Sequence, residues 1–238
     1  MQKYPENADD LVNWIPPRWP DAQAFAGRYA RLERLAPAHA AALHRANAED
    51  EAIWDYLPYG PFSDPGSYAA WVAEAAAGED PRFHAIQDRQ TGAWGGVASL
   101  MRITPAAGTI EVGHINLSRS LQRIRAATEA MFLLMEWAFE AGYRRYEWKC
   151  DARNLPSRRA AQRLGLSFEG VFRQAAVVKG RNRDTAWFAA SDKEWPALRA
   201  AFRTWLAPEN FDDGGRQMVG LSALTAPVLA ACDPALAG

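Results

Sequence analysis

Cysteine is almost missing from this chain, with only Cys150 and Cys232 among 238 residues. Two thiols cannot build a disulfide framework, and no metal site is expected. An excess of charge is missing too. The formal net charge is −1, which argues against a general polyanion binder. Long apolar runs are lacking as well. The longest uncharged stretch, Met218 to Cys232, is short and carries Gly220 and Pro227, so no membrane span is expected. The opening MQKYPENADD is not a signal peptide, and a reducing cytoplasm is the default location. No internal repeat or low-complexity tract occurs. What remains is ordinary globular material, 49% hydrophobic and 23% charged, long enough for one large domain or two small ones.

The stretch from Thr109 to Arg173 organises the rest. IEVGHINL reads as a strand, and SRSLQRIR follows as a polar loop. In AATEAMFLLMEWAFEAG, Ala127, Ala130, Met131, Leu134, Ala138 and Ala141 recur at helical steps, closed by Gly142. Glu129 falls in the first turn, where a negative charge suits the helix end. RRYEWKCD reads as a second strand. Asn154, Pro156 and Ser157 start a second helix that Gly165 stops. Strand, helix and strand imply a parallel right-handed crossover. The loop before the first helix then points backbone N–H groups outward, a cradle for phosphate. Ten Lys/Arg against five Asp/Glu lie between Arg119 and Arg163. A basic zone of that size on a near-neutral chain fits a small phosphorylated ligand better than nucleic acid, the alternative being a solvated helix face.

These pieces, in this order, resemble the core of the GCN5-related N-acetyltransferases (GNAT), most closely the ribosomal-protein alanine N-acetyltransferase branch. The matching runs are Glu111-Val112-Gly113-His114, Ala127-Thr128-Glu129-Ala130, Asp151 to Ser157, Leu164-Gly165-Leu166, and Glu169 to Arg173. The Gly180-to-Asp184 piece matches the family's closing hairpin. The resemblance implies an α/β fold: a mixed, mostly antiparallel sheet of about seven strands, splayed at the cofactor site and flanked by helices. Less sharply, it extends over about residues 28–196.

Flanking the core, Pro16, Pro17 and Pro20 make residues 1–27 an arm. Residues 28–206 form the domain, and 207–238 an extension that packs on it or on a second subunit, which makes a homodimer one expectation. Within the domain we expect strands at Tyr29–Leu35, Arg82–Asp88 and Trp94–Ile103. Helices are expected from Pro37, up to Gly78, and over Trp195–Leu206.

The implied activity is transfer of an acetyl group from acetyl-CoA to a primary amine, on a small molecule or a protein N-terminus, by direct attack. Neither nucleic acid nor membrane is an expected partner. Carried over residue by residue, Glu111 is the general base, a carboxylate on an apolar strand whose pKa burial would raise. His114 is an alternative base. Ser157 is a candidate acid for the departing thiolate, and Ala161 stands where many relatives place a tyrosine. The backbone of Ile115, Asn116 and Leu117 would hold pantetheine, and Asn154 and Ser157 the rest of that arm. Gln122, Arg123, Ile124, Arg125, Ala126, Ala127 and Thr128 would hold pyrophosphate. Arg123-Ile124-Arg125 replaces the family's G-x-G, so the guanidinium groups either contact phosphate or obstruct the loop. Trp54, Tyr56 and Tyr59, with Phe62 and the acids Glu49, Asp50, Glu51 and Asp55, could line a pocket for a cationic amine. Trp14 and Trp19 are further candidates. The same scaffold could instead be a non-catalytic acyl-CoA sensor or assembly module.

Overall fold

The computed structural model describes residues 11 and 13–237. Its centre is an eight-stranded sheet. In chain order the strands are β1 (Ala24–Ala26), β2 (Ala30–Arg34), β3 (Arg82–Asp88), β4 (Trp94–Thr104), β5 (Thr109–Leu117), β6 (Arg145–Asp151), β7 (Ser167–Val178) and β8 (Arg181–Ser191). They lie side by side in the order β1-β2-β3-β4-β5-β6-β8-β7. Among the described residues, only β5 and β6 pair in parallel. The six main helices are α1 (Ala40–Asn47), α2 (Pro65–Ala77), α3 (Arg125–Glu140), α4 (Leu155–Arg163), α5 (Trp195–Leu206) and α6 (Leu221–Thr225).

One strand lies where the sequence suggested only an arm. Ala24–Ala26 pairs antiparallel with β2; three residues are too few for periodicity to reveal. The part of the arm before residue 11 lies outside the described residues.

The sheet separates two apolar layers. On one face α3, α4 and α5 cover Ile110, Val112, Tyr146, Trp148 and Phe188. On the other, α1 and α2 cover Phe83, Ala85 and Val97 around Trp54 and Tyr68. The second layer is smaller and does not include β6, β8 or β7. That uncovered half of the sheet carries the polar chemistry.

Two anchors fix the helices that border the cleft. Glu129 in α3 is buried and accepts the backbone N–H of Arg28, Tyr29 and Ala30 at 2.9, 2.5 and 2.6 Å. A Cβ on Gly27 would collide with that carboxylate, so the β1–β2 turn needs glycine there. The sequence assigned Glu129 to the helix dipole; its observed role is to close a turn. On α4, Arg158 makes a buried bidentate pair with Asp233, both contacts 2.6 Å. The last thirty residues therefore pack on their own domain: Ala230 N–H also donates to Ser167, and Asp233 N–H to Gln162.

Candidate active site

The cleft begins where one ladder ends. β5 and β6 pair from Thr109/Arg145 to Val112/Trp148 and no further. Beyond that, β5 stays on β4 through Asn116 and Leu117, while β6 stays on β8 through Asp151. A bulge marks the parting, and His114 sits in it with φ of 50°. A side chain at Gly113 would strike the Met101 sulfur and force that side chain to move. Gly113 to Leu117 consequently has no strand on the side toward β6.

The α3 loop lies at the end of that freed segment. Ile124 precedes the helix without a side-chain cap, so no side chain closes the first N–H groups. Arg123 is exposed and has φ of 60°, the left-handed backbone its glycine counterpart would adopt. Arg125 behaves differently. Its guanidinium lies between the rings of Tyr29 (4.8 Å) and Phe211 (4.6 Å), committed to the body and to the C-terminal segment. Gln122 donates to the Leu117 carbonyl at 2.9 Å. Ala126, Ala127 and Thr128 are buried, and Thr128 Oγ1 accepts from Arg163 at 3.1 Å.

Opposite, the start of α4 is built by its own residues. Asn154 caps the helix by accepting the Ser157 N–H at 3.1 Å. Ser157 Oγ accepts from the Trp148 indole at 3.0 Å. The neighbouring Cys150 thiol is pushed up to about 11, chiefly by burial.

Glu111 is buried, as its apolar strand suggested, but it is not a lone carboxylate. Arg102 and Lys149 contact its Oε2 at 2.8 and 2.9 Å. Lys149 also meets Glu147 at 2.7 Å and lies over the Trp187 ring at 3.8 Å. Glu147 and Glu169 are joined in turn through Arg145. Across β4, β5, β6 and β7 this is a charge-balanced network, and burial of an isolated acid does not describe it. His114 stacks on Tyr59 with ring centroids 5.5 Å apart, its Nδ1 3.2 Å from the tyrosine hydroxyl. Burial, then the charges of Arg102 and Arg183, push its pKa down to about 4. The imidazole is neutral at ordinary pH.

The aromatic loop divides. Tyr59 reaches the site through His114. Tyr56 is exposed and donates to the Arg153 carbonyl at 3.4 Å, bridging the cleft mouth. Trp54 is a core residue, 4% exposed and packed on Tyr59, Phe62 and Tyr68, so it does not line the pocket with its ring. Its carbonyl instead receives the Lys179 ammonium from the β7–β8 tip at 2.9 Å. Asp50 caps its own turn, and Glu49, Glu51 and Asp55 are solvated. Trp14 packs near Gly108 and Arg144, at the opposite end of β5, and is not part of the site.

The basic zone also divides. Arg145, Lys149, Arg153 and Arg158 are spent on carboxylates, and Arg163 stacks on Trp205. Arg119, Arg123 and Arg159 are exposed. Sequence reading passed over Arg102, Lys149, Arg183 and Trp187. The one available signal was the alternation of Arg183, Thr185 and Trp187 along β8. An open concavity of about 700 Å³ lies along the hairpin beside Phe172, Arg173 and Asp184 and contains none of the expected site residues. Among the described residues no helix is long and apolar enough to cross a membrane, and no cluster of three or more His, Cys, Asp or Glu could hold a metal.

A mixed sheet split between two parallel strands, with a helix N-terminus at the split, is the architecture of the GNAT fold. A model of the acetyltransferase (GNAT) domain matches residues 30–167, and the chain belongs to that family. It is similar to a GCN5-related N-acetyltransferase from Brucella melitensis, with 46% identity over 91% of this chain and 100% of that one and a TM-score of 0.89. A probable GNAT acetyltransferase from Chromobacterium violaceum gives 41% identity over 83% of this chain and 100% of the other, with a TM-score of 0.76. A microcin C7 self-immunity acetyltransferase, solved with acetyl-CoA and AMP, shares the fold at 20% identity and TM-score 0.62, over 69% of this chain and 93% of that one. No curated protein matches.

Proposed function

We propose that this protein moves the acetyl group of acetyl-CoA onto a primary amine by direct attack within the β5–β6 split. The observation that carries this reading is the end of the ladder at Val112/Trp148, beside an uncapped helix N-terminus. The thioester supplies an activated acetyl group when bound. The residues present fit such a donor. Asn116 is 2% exposed, yet neither amide atom has a hydrogen-bond partner, and a buried amide of that kind calls for a ligand. The backbone of Ile115, Asn116 and Leu117 would hold the pantetheine arm, with Asn154 and Ser157 across from it. Residues 122–128 would hold pyrophosphate, and the exposed Arg123 guanidinium would add a charge-assisted contact.

Glu111 receives the proton that the amine sheds, through an intervening water, while Arg102 and Lys149 keep the carboxylate in place. Those cations also favour a neutral, nucleophilic amine over an ammonium. His114, uncharged, accepts a hydrogen bond and orients the nitrogen. Ser157 Oγ accepts from Trp148 and also hydrogen-bonds the Cys150 thiol; with thioester bound, its one proton would turn from Cys150 toward the departing sulfur.

Calorimetry with acetyl-CoA, followed by thiol release across an amine panel, tests the reading. Saturable binding plus turnover is expected, with Glu111→Gln lowering kcat by about 10²–10⁴-fold. Because His114 titrates at about 4, kcat/KM should show no imidazole inflection between roughly pH 5.5 and 7.5. Binding without turnover on any amine would instead indicate a sensor, and absence of binding would discard both.

A further inference from the structure

One cation on the acceptor side of the sheet has no counter-charge. The network there is self-contained: Arg102, Lys149 and Arg145 alternate with Glu111, Glu147 and Glu169. Arg183 stands outside it. Part-buried on β8, its side chain makes no hydrogen bond or ion pair among the described residues, and its Nε is shielded from solvent without a partner. The Trp187 indole N–H on the same face of β8 is likewise shielded and unpartnered. Thr185, buried between them, faces the same side and pairs with Asp151 at the end of β6. Arg183 thus lies just past the end of β6, where β5 has already turned away. Its charge is felt both by His114 on β5 and by Cys150 on β6, which places it over the gap. Tyr56 to Arg153, and Lys179 to Trp54, bridge the mouth of the cleft.

An Arg183 Nε–H and a Trp187 indole N–H, both shielded from solvent and both without acceptors, are costly unless something supplies oxygen. We infer that the acceptor is a small amine bearing its own oxyanion, a carboxylate or phosphoryl group, which Arg183 receives while the amine faces Glu111 and His114. This rests on the acetyl-transfer reading for the amine's fate but not for its binding. These bridges across the mouth favour a small molecule over a folded protein's N-terminus.

The test uses matched pairs: an amino acid with its decarboxylated amine, and phosphoethanolamine with ethanolamine. Each is titrated by calorimetry into the full chain saturated with CoA, then assayed for thiol release with acetyl-CoA. Wild type should prefer the anionic member of at least one pair by about tenfold or more, and Arg183→Gln should bring that ratio near parity. Arg183→Lys should restore part of it. The pair that responds tells carboxylate from phosphate. The readout is a ratio within one protein, so general damage cancels. No preference in wild type, a preference that survives Arg183→Gln, or a loss confined to acetyl-CoA affinity would overturn the assignment. Preferential binding without acetylation would leave it standing and sink the acetyltransferase reading instead. Acetylation of neutral amines alone would do the reverse.

Discussion

Helices α3 and α4 both aim their first turns at the cleft, and each is held from behind by one charged side chain gripping a distant stretch of chain. The chemistry of the grip differs. Glu129 on α3 takes three backbone N–H groups from residues 28–30. Arg158 on α4 takes a carboxylate, that of Asp233. In the first case only one ion is desolvated, and its partners are donors the chain cannot remove. In the second, two ions are desolvated for each other's sake, and both are dispensable as a pair. One anchor is irreplaceable and the other exchangeable.

That contrast can be broken by mutation. Glu129→Ala should have the largest effect, on the order of 4–6 kcal/mol lost, because three N–H groups in a tight turn lose their acceptor together. A denaturant titration would measure it, and a loss under about 1 kcal/mol would show that water replaces the carboxylate freely. Asp233→Ala should cost about 3–5 kcal/mol by stranding the Arg158 guanidinium. Replacing both, as Arg158→Met with Asp233→Leu, should recover most of that loss. If the double variant is no better than the single one, the pair is not exchangeable and the contrast fails. Because Asn154 and Ser157 lie in the same helix, Asp233→Ala should also weaken acetyl-CoA binding.

The two anchors also show what a sequence can and cannot disclose. The order of strands and helices from Thr109 to Arg173 was legible because each element carries its own local pattern: β-branched runs, a helical apolar stripe, Asn-x-Pro at a helix start, Gly at a helix end. The split between β5 and β6 was legible through the family resemblance. Glu129 reads from sequence as a helix-dipole acid and Arg158 only as one of ten cations in a basic zone, since their partners lie 99–101 and 75 residues away. The same distance hid the network around Glu111, whose members come from β4, β5, β6 and β7. Trp54 was misassigned for a related reason. An aromatic loop looks like a pocket wall until α1 and α2 close over it.

The smallest effects should come from the two arginines of the α3 loop, and they should have opposite signs. Both stand where relatives carry glycine, so a reading by position alone would expect restoring glycine to help in each case. At residue 125 it should not. The Arg125 guanidinium is sandwiched by Tyr29 and Phe211, and Arg125→Gly removes two cation–π contacts and puts glycine in the first helical turn, for a loss of about 1–2 kcal/mol. At residue 123 the backbone already has glycine's sign, φ of 60°, and the side chain is exposed. Arg123→Gly relieves a left-handed residue and should raise stability by about 0.5–1 kcal/mol. Acetyl-CoA affinity should move the other way. Losing the exposed guanidinium should weaken binding a few-fold, with a shallower salt dependence, whereas Arg125→Gly should change it little. If Arg123→Gly tightened binding instead, the arginine would be an obstruction that the fold tolerates, and the loop would hold phosphate by its backbone alone.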